Sequence, residues 1–241
     1  MPDSHSNSLT HYQHGDRLAV ALDCIIFGFD QEGLKLLLVE RAIEPEKGRW
    51  ALMGGLLQNN ESLDEAAQRV LHELTGLHDI YLEQLLAFGE VNRDPVERIV
   101  SVAYYALINI QQHDRELVRQ FGAQWFPADQ VPELIFDHNR MVEAARERLR
   151  LKASHQPIGF ELLPEKFTMP ELQRLYEAIY DTTLDKRNFQ RRILAMDIIE
   201  RLDEKQRGTS KKGAYLYRFN QEKYDATVKE GLRLVFKPKA F

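Results

Sequence analysis

Residues 53–77 read MGGLLQNNESLDEAAQRVLHELTGL and contain the most informative pattern in the chain. Apolar residues recur at helical spacing between Leu63 and Leu74, and Gly76 stands where such a helix would end. The stretch therefore predicts a glycine-containing loop followed by an amphipathic helix. A loop and helix of this kind can hold a divalent cation against a diphosphate if several carboxylates share one helical face.

The frame of this stretch resembles the Nudix box, G-x5-E-x7-R-E-U-x-E-E-x-G-U, in which U is a bulky aliphatic residue. The matching positions are Gly55, Glu61, Arg69, Leu71, Glu73, Gly76 and Leu77. Val70 and Leu74 replace two of the three glutamates that matter most for magnesium in that family, so only Glu73 remains. One carboxylate cannot form the usual cluster, and we expect no catalytic residues, no metal site and no hydrolase activity. Three other acidic residues are interpreted as favourable charges in a first helical turn: Glu61, Asp64 and Glu65.

The sequence around the box alternates between strand-like and helical patterns. Runs rich in β-branched and aromatic residues are typical of strands, as in LAVALDCIIFGF, LKLLLVER and ERIVSVAYYALINI, and a helix is predicted from about residue 139 to 152. This order predicts a mixed-sheet α/β/α sandwich over residues 17–153. Residues 1–16 are predicted to be a flexible polar arm whose three histidines bind no metal.

A second domain, mainly α-helical, is predicted over residues 154–241. Thr168 and Pro170 are typical of a helix start, and Asp185 is a good N-cap for a second helix, DKRNFQRRILAMDIIERL. A glycine-flanked basic loop, GTSKKG, and a strand follow. Helix, turn, basic helix and basic hairpin is the order of a winged helix-turn-helix.

Charge is concentrated in that second domain. Residues 184–218 contain ten Lys or Arg against five Asp or Glu, a local charge of +5, whereas the whole chain has a net charge of −5. Such segregation is typical of a DNA-binding module attached to an acidic sensor. The side chains expected to contact bases or phosphates of double-stranded DNA are Lys186, Arg187, Asn188, Gln190, Arg191, Arg192, Arg207, Thr209, Ser210, Lys211 and Lys212.

The two-domain order resembles the NrtR family, bacterial transcriptional regulators in which a Nudix domain precedes a winged helix-turn-helix. Segments such as DCIIFGF, WALMGG and DKRNFQRR resemble most closely its arabinose-responsive AraR branch. The resemblance implies a homodimeric repressor that leaves a palindromic operator when a small effector, L-arabinose in this interpretation, enters the Nudix cleft. Three alternatives stay open: an ADP-ribose-responsive regulator of NAD metabolism, an active Nudix hydrolase, and a scaffold whose winged helix binds protein.

A sugar-binding cleft needs a few hydrogen-bonding groups beside an aromatic face. The candidate effector residues are Asp23, Arg41, Arg93, Asp94, Glu97, Arg98, Tyr104, Trp125 and His138. Each also has an ordinary structural interpretation, such as sheet packing for Tyr104 and Trp125 or a turn cap for His138. Among these candidates the loop RDPVER is favoured, because four charged residues are crowded together in it.

Composition sets the remaining expectations. Cys24 is the single cysteine and lies in an apolar run, which excludes an internal disulfide and fits a reducing, cytoplasmic setting. No apolar run is long enough to cross a membrane, and the first residues lack the pattern of a signal peptide. We expect no cofactor and no membrane partner.

Overall fold

A computed structural model of the protein describes residues 16–30, 32–110, 120–206 and 213–229. Its larger sheet contains β1 (Ala19–Asp30), β2 (Gly33–Glu40), β3 (Trp50–Ala51), β4 (Met53–Leu56), β5 (Glu83–Phe88), β6 (Ile99–Asn109) and β7 (Ala123–Pro127). The central path runs β3-β2-β1-β6-β5, with β4 paired to β1 and β7 paired to β2. Strands β1 and β6 are parallel and the other pairs are antiparallel, so the sheet is mixed as predicted.

Among the described residues, two helices lie on opposite faces of this sheet. Side chains alternate along β1, so that Leu22, Cys24 and Ile26 pack with helix α1 (Leu63–Thr75), whereas Ile25 and Phe27 face the opposite side. Helix α2 (His138–His155) covers that opposite side through an apolar stripe consisting of Met141, Val142, Ala145 and Leu149. The α/β/α sandwich is thus formed by a central sheet that is apolar on both faces.

Helix α1 begins and ends where its sequence predicts. Ser62 accepts a hydrogen bond from the backbone N–H of Glu65, whose carboxylate in turn accepts from the N–H of Ser62, and this capping box satisfies the first turn. Gly76 ends the helix in the left-handed conformation (φ 72), which a glycine adopts without strain.

The C-terminal part forms the predicted winged helix. It contains β8 (Phe167–Thr168), α3 (Met169–Tyr180), α4 (Lys186–Ala195), β9 (Ile199–Gln206), β10 (Ala214–Phe219) and α5 (Gln221–Lys229). Thr168 and Asp185 are the N-caps of α3 and α4, each accepting a backbone N–H three residues later, as their sequence predicted. Helix α4 ends at Ala195, so the prediction that it continues to Leu202 was wrong, and Ile199–Gln206 instead form strand β9, which pairs with β10. The second sheet has the order β8-β10-β9, and its strand β8 was not predicted from sequence.

The two parts share one apolar core. Buried residues of α2 continue through Leu162 and Leu163 to Phe167, Leu172 and Phe189 of the winged helix. Helix α2 itself runs three residues beyond its predicted end, to His155, into the segment predicted to open the second domain. Within the described ranges, every helix is too short or too polar to span a membrane.

Candidate functional site

Charged side chains are buried together at the N-terminal end of α2. The guanidinium of Arg93 donates two hydrogen bonds to the carboxylate of Asp137, at 3.1 and 2.8 Å, and its Nη2 lies 3.6 Å from Oδ2 of Asp23. Ser101 donates a further hydrogen bond of 2.5 Å to Asp23. The side chain of Arg93 is only 3% exposed, so these charges interact away from most of the solvent.

His138 completes this arrangement, which we call the buried charge cluster: Asp23, Arg93, Asp137 and His138. Its Nδ1 accepts a hydrogen bond of 3.1 Å from the backbone N–H of Leu52, and its Nε2 lies 3.5 Å from Oδ1 of Asp23. Burial lowers the pKa of His138 below its ordinary value, although the two carboxylates of the cluster oppose that effect. A neutral imidazole is consistent with Nδ1 acting as an acceptor.

The backbone beside the cluster leaves room for Asp23. A Cβ added at Gly54, which pairs with Asp23 in the sheet, would lie 2.4 Å from the Asp23 carboxylate. Glycine at this position therefore allows the close approach of β4 to the charged side chain.

Arg41 lies at the edge of the cluster. Its guanidinium carbon is 5.3 Å from the centre of the Phe136 ring, which packs edge-on against His138. Its Nε donates a hydrogen bond of 2.6 Å to the carbonyl of Pro45, which fixes the side chain. Within the described ranges, Arg41 forms no ion pair with a carboxylate, so its charge is available to an anionic ligand.

Three residues of the predicted polar loop do not join the cluster. The carboxylate of Asp94 accepts the backbone N–H groups of Val96 and Glu97 and closes a local turn. Glu97 itself is exposed. Arg98 donates to the carbonyls of Gly89 and Glu90, so it closes the base of the same loop.

The two predicted aromatic residues also lie elsewhere. Tyr104 is on the α1 face of the sheet, where its hydroxyl donates a 2.6 Å hydrogen bond to Asp64. Burial raises the pKa of Tyr104, and the hydrogen bond to the Asp64 carboxylate raises it further. Trp125, on β7, packs at the margin of the α1-side core. Of the nine predicted residues, the structure thus brings together Asp23, Arg41, Arg93 and His138.

Sequence reasoning missed two members of this site, Asp137 and Ser101. An acidic residue just before a helix is usually an N-cap, and Asp137 does occupy that position, yet its side chain makes no capping bond because it binds Arg93. The only sequence signal was its position beside His138. Ser101 gave no signal, because its role depends on β6 lying next to β1.

The Nudix-box helix offers a different chemistry. Val70 is 1% exposed and packs against Gly55, and Leu74 packs at the margin of the same core. Arg69 pairs with Glu61 at 2.6 Å and with Glu73 at 3.1 Å, and its hydrogen bond lowers the pKa of Glu61.

Neighbouring carboxylates of α1 are engaged as well, since Glu65 belongs to the capping box and Asp64 accepts from Tyr104. A divalent cation wants several oxygen ligands on one face, and the residues present do not fit one. Over the part of the chain that the structure describes, no group of three or more His, Cys, Asp or Glu could hold a metal ion.

Helix α4 exposes polar side chains around a buried apolar edge. Phe189 and Ile193 are buried, whereas the opposite surface is open to solvent. That open surface is formed by Asp185, Lys186, Arg187, Gln190, Arg191 and Leu194. Arg191 donates a 2.9 Å hydrogen bond to the side-chain oxygen of Asn188, so two predicted DNA-contacting residues are already held against each other. Arg192 is also exposed.

The hairpin after α4 carries cations that sequence reasoning did not select. Arg201 and Lys205 of β9 lie over the ring of Tyr215 of β10, with distances of 4.8 and 4.3 Å to the ring centre. The predicted wing residues Arg207, Thr209, Ser210, Lys211 and Lys212 lie outside the described residues.

The fold defines a class of protein in which a Nudix domain is joined to a DNA-binding domain. The first part is a mixed-sheet sandwich with a Nudix-type loop and helix, and the second is a winged helix whose second helix is exposed and basic. Comparison with known families agrees, since residues 17–147 match the NUDIX domain and residues 159–219 match the NrtR DNA-binding winged helix domain. The chain belongs to the NrtR family.

Individual relatives support this assignment. The chain is 35% identical over 223 residues to the "ADPR responsive transcriptional repressor NtrR" of Acinetobacter baylyi, covering 90% of this chain and 89% of that protein. It is 30% identical over 126 residues to an ADP-ribose pyrophosphatase of Methanocaldococcus jannaschii, covering 52% of this chain and 71% of that enzyme.

Solved structures show the same two-domain arrangement. The crystal structure of Shewanella oneidensis NrtR complexed with a 27mer DNA matches with a TM-score of 0.74 and 32% identity, covering 86% of this chain and 95% of that one. The structure of the same protein described without DNA matches with a TM-score of 0.72 and 33% identity, covering 86% and 96%. The predicted fold class is confirmed over both domains.

Proposed function

We propose that this protein is a transcriptional repressor that binds operator DNA through α4 and releases it when ADP-ribose binds its Nudix domain. The observation that carries the proposal is the 35% identity, over both domains, to a repressor described as ADPR responsive. A second relative, matched over 126 residues, is described as an ADP-ribose pyrophosphatase. The sequence alone favoured L-arabinose, but both of these relatives are described by ADP-ribose, and ADP-ribose replaces the sugar here.

The cluster at the start of α2 suits such an effector. ADP-ribose carries two phosphates and several hydroxyls, which need a cation and fixed hydrogen-bonding groups. Arg41 supplies a half-buried cation over the Phe136 ring, which packs edge-on against His138. His138 in turn lies 3.5 Å from Asp23. Because Arg93 is already shared between two carboxylates, we assign it a positioning role and assign phosphate contact to Arg41.

We infer that the Nudix domain binds without cleaving. Hydrolysis of a diphosphate in this fold class needs several carboxylates around a metal ion, and Val70 and Leu74 instead belong to the apolar packing of α1. A pocket can keep its shape and its polar contacts after such a change, so ligand binding does not require the missing glutamates.

Repression would follow from the geometry of a dimer. Two copies of α4 can enter successive major grooves when they are about 34 Å apart. An effector that favours another separation weakens DNA binding, and by linkage DNA then weakens effector binding by the same factor.

Isothermal titration calorimetry tests the effector. We expect ADP-ribose to bind without magnesium and L-arabinose not to bind, and we expect Arg41→Ala to weaken ADP-ribose at least tenfold. Arg49→Ala is the matched control, because Arg49 lies in the same loop but pairs with Glu46 and Glu133. Binding of L-arabinose alone would return the protein to sugar control, and magnesium-dependent release of AMP would make it a hydrolase.

DNA binding is tested by selecting sequences from a random duplex pool and measuring the affinity of the selected duplex by fluorescence anisotropy. Arg187→Ala is expected to cost about 1–3 kcal/mol if the side chain reads a base, whereas Arg140→Ala, on α2, should cost nothing. The affinity should fall steeply with salt, and saturating ADP-ribose should lower it. A flat salt dependence would favour a protein partner for the winged helix.

A further inference from the structure

Helix α2 connects the buried charge cluster to the winged helix. Its first residues belong to the cluster, through Asp137 and His138. Its 18 residues correspond to a rod about 27 Å long, and this helix packs against α3. A displacement at one end of a packed helix therefore reaches the other end.

A polar contact joins the far end of α2 to the winged helix. The Nε of Arg150 donates a hydrogen bond of 3.3 Å to the backbone carbonyl of Ile179, in the last turn of α3. The last carbonyls of a helix lack partners within the helix and carry partial negative charge, so a guanidinium is a favourable partner for them. Arg150 thus binds the end of α3 that precedes the turn to α4.

A cavity lies beside this contact. Its volume is about 250 Å³, and it separates the β1–β2 turn, residues 127–129 and α2 on one side from the end of α3 on the other. Its walls include the apolar side chains of Leu149, Ala178 and Ile179. Close packing normally resists relative movement, so a cavity at this boundary leaves α3 room to shift against α2.

We propose that α2 transmits effector binding to the winged helix, that Arg150 is the coupling residue at its far end, and that the cavity accommodates the movement. The proposal rests on the proposed function, because it assigns the route by which ADP-ribose changes DNA affinity. Arg150 is a positioning residue in this scheme and touches neither ligand nor DNA.

The test measures coupling separately from binding. The coupling factor is the ratio of the DNA dissociation constants with and without saturating ADP-ribose, which for allosteric proteins is about 5–150-fold. We expect Arg150→Ala to reduce this factor at least threefold while changing the dissociation constant for ADP-ribose by less than twofold. Arg148→Ala is the matched control, because Arg148 lies on the same helix but pairs with Glu83 of β5 rather than with the winged helix, and it does not line the cavity.

A second variant acts on the cavity rather than on the contact. Ala178→Met adds side-chain volume to the empty space and should hold α3 in place, so the coupling factor should again fall while the melting temperature stays equal or rises. Because this variant fills space instead of removing a bond, it keeps the test valid even if Arg150→Ala lowers stability.

The outcomes separate the two proposals. If the wild-type protein binds DNA and ADP-ribose but both variants keep its coupling factor, or if Arg148→Ala lowers the factor as much as Arg150→Ala, the transmission route is wrong and the proposed function stands. If ADP-ribose does not bind the wild-type protein or leaves its DNA affinity unchanged, the proposed function fails and the route fails with it.

Discussion

Two arginines of the Nudix domain each bridge two carboxylates, but in opposite surroundings. Arg69 lies on α1 between Glu61 and Glu73, with its side chain 24% exposed. Arg93 lies between Asp137 and Asp23, with its side chain 3% exposed. The first set retains part of its solvent shell, whereas the second has exchanged water for its partners.

This difference indicates which charged residues the stability of the domain depends on. An exposed ion pair contributes little to stability because water and salt screen it. Removing one member of a buried set leaves charges without water or partners, which is costly. The Nudix pattern would place a metal site on α1, whose charged side chains are partly exposed. In this chain the buried charges lie instead at the start of α2, where we place the effector.

We expect the largest difference between the two sets when Arg93 is replaced. Arg93→Met keeps most of the side-chain volume but leaves Asp23 and Asp137 buried without their cation, so we expect the free energy of unfolding to fall by about 3–5 kcal/mol. Urea denaturation monitored by circular dichroism measures it. Arg69→Met is the matched control and should lose less than half as much. Equal losses would show that burial does not distinguish the two sets.

A second test places charge on the apolar face of α1. Val70→Glu restores a glutamate of the Nudix pattern, but the position is 1% exposed and packed against Gly55, so we expect a loss of about 2–4 kcal/mol at pH 7. Leu74→Glu, at a half-buried position, should lose less. A stable Val70→Glu protein that hydrolyses ADP-ribose with magnesium would contradict our account of this helix.

The smallest effect concerns the protonation of His138. Its pKa is lowered in the folded state by burial, so the unfolded chain takes up a proton first as the pH falls. Stability should therefore be insensitive to this group above about pH 6.5 and should decrease below it, by at most about 1.4 kcal/mol for each pH unit down to the folded pKa.

His138→Asn isolates that effect. The asparagine oxygen can still accept the N–H of Leu52, but the side chain no longer titrates. Unfolding measured between pH 7.5 and 5 should show a shallower loss of stability in the variant than in the wild-type protein. Parallel pH profiles would mean that His138 is not held neutral.

Much of the fold could be predicted because it is encoded locally. The capping box of α1, Gly76 at its end and the caps Thr168 and Asp185 all depend on residues three or four positions apart. The buried charge cluster could be predicted only in part. Asp23 and His138 were selected as single polar residues, but neither their proximity nor the participation of Asp137 and Ser101 follows from spacing along the chain.

The sequence by itself determined the two-domain order, the presence of Val70 and Leu74 at two positions where the Nudix pattern has glutamates, and the basic second helix of the winged helix. These features could be recognised because periodicity, capping and charge are properties of neighbouring residues. Only the tertiary structure decided that Tyr104 binds Asp64 rather than joining the cluster, and that Arg150 contacts the end of α3. These contacts join residues 40 and 29 positions apart, and the side of the sheet on which each group lies depends on strand register and helix packing.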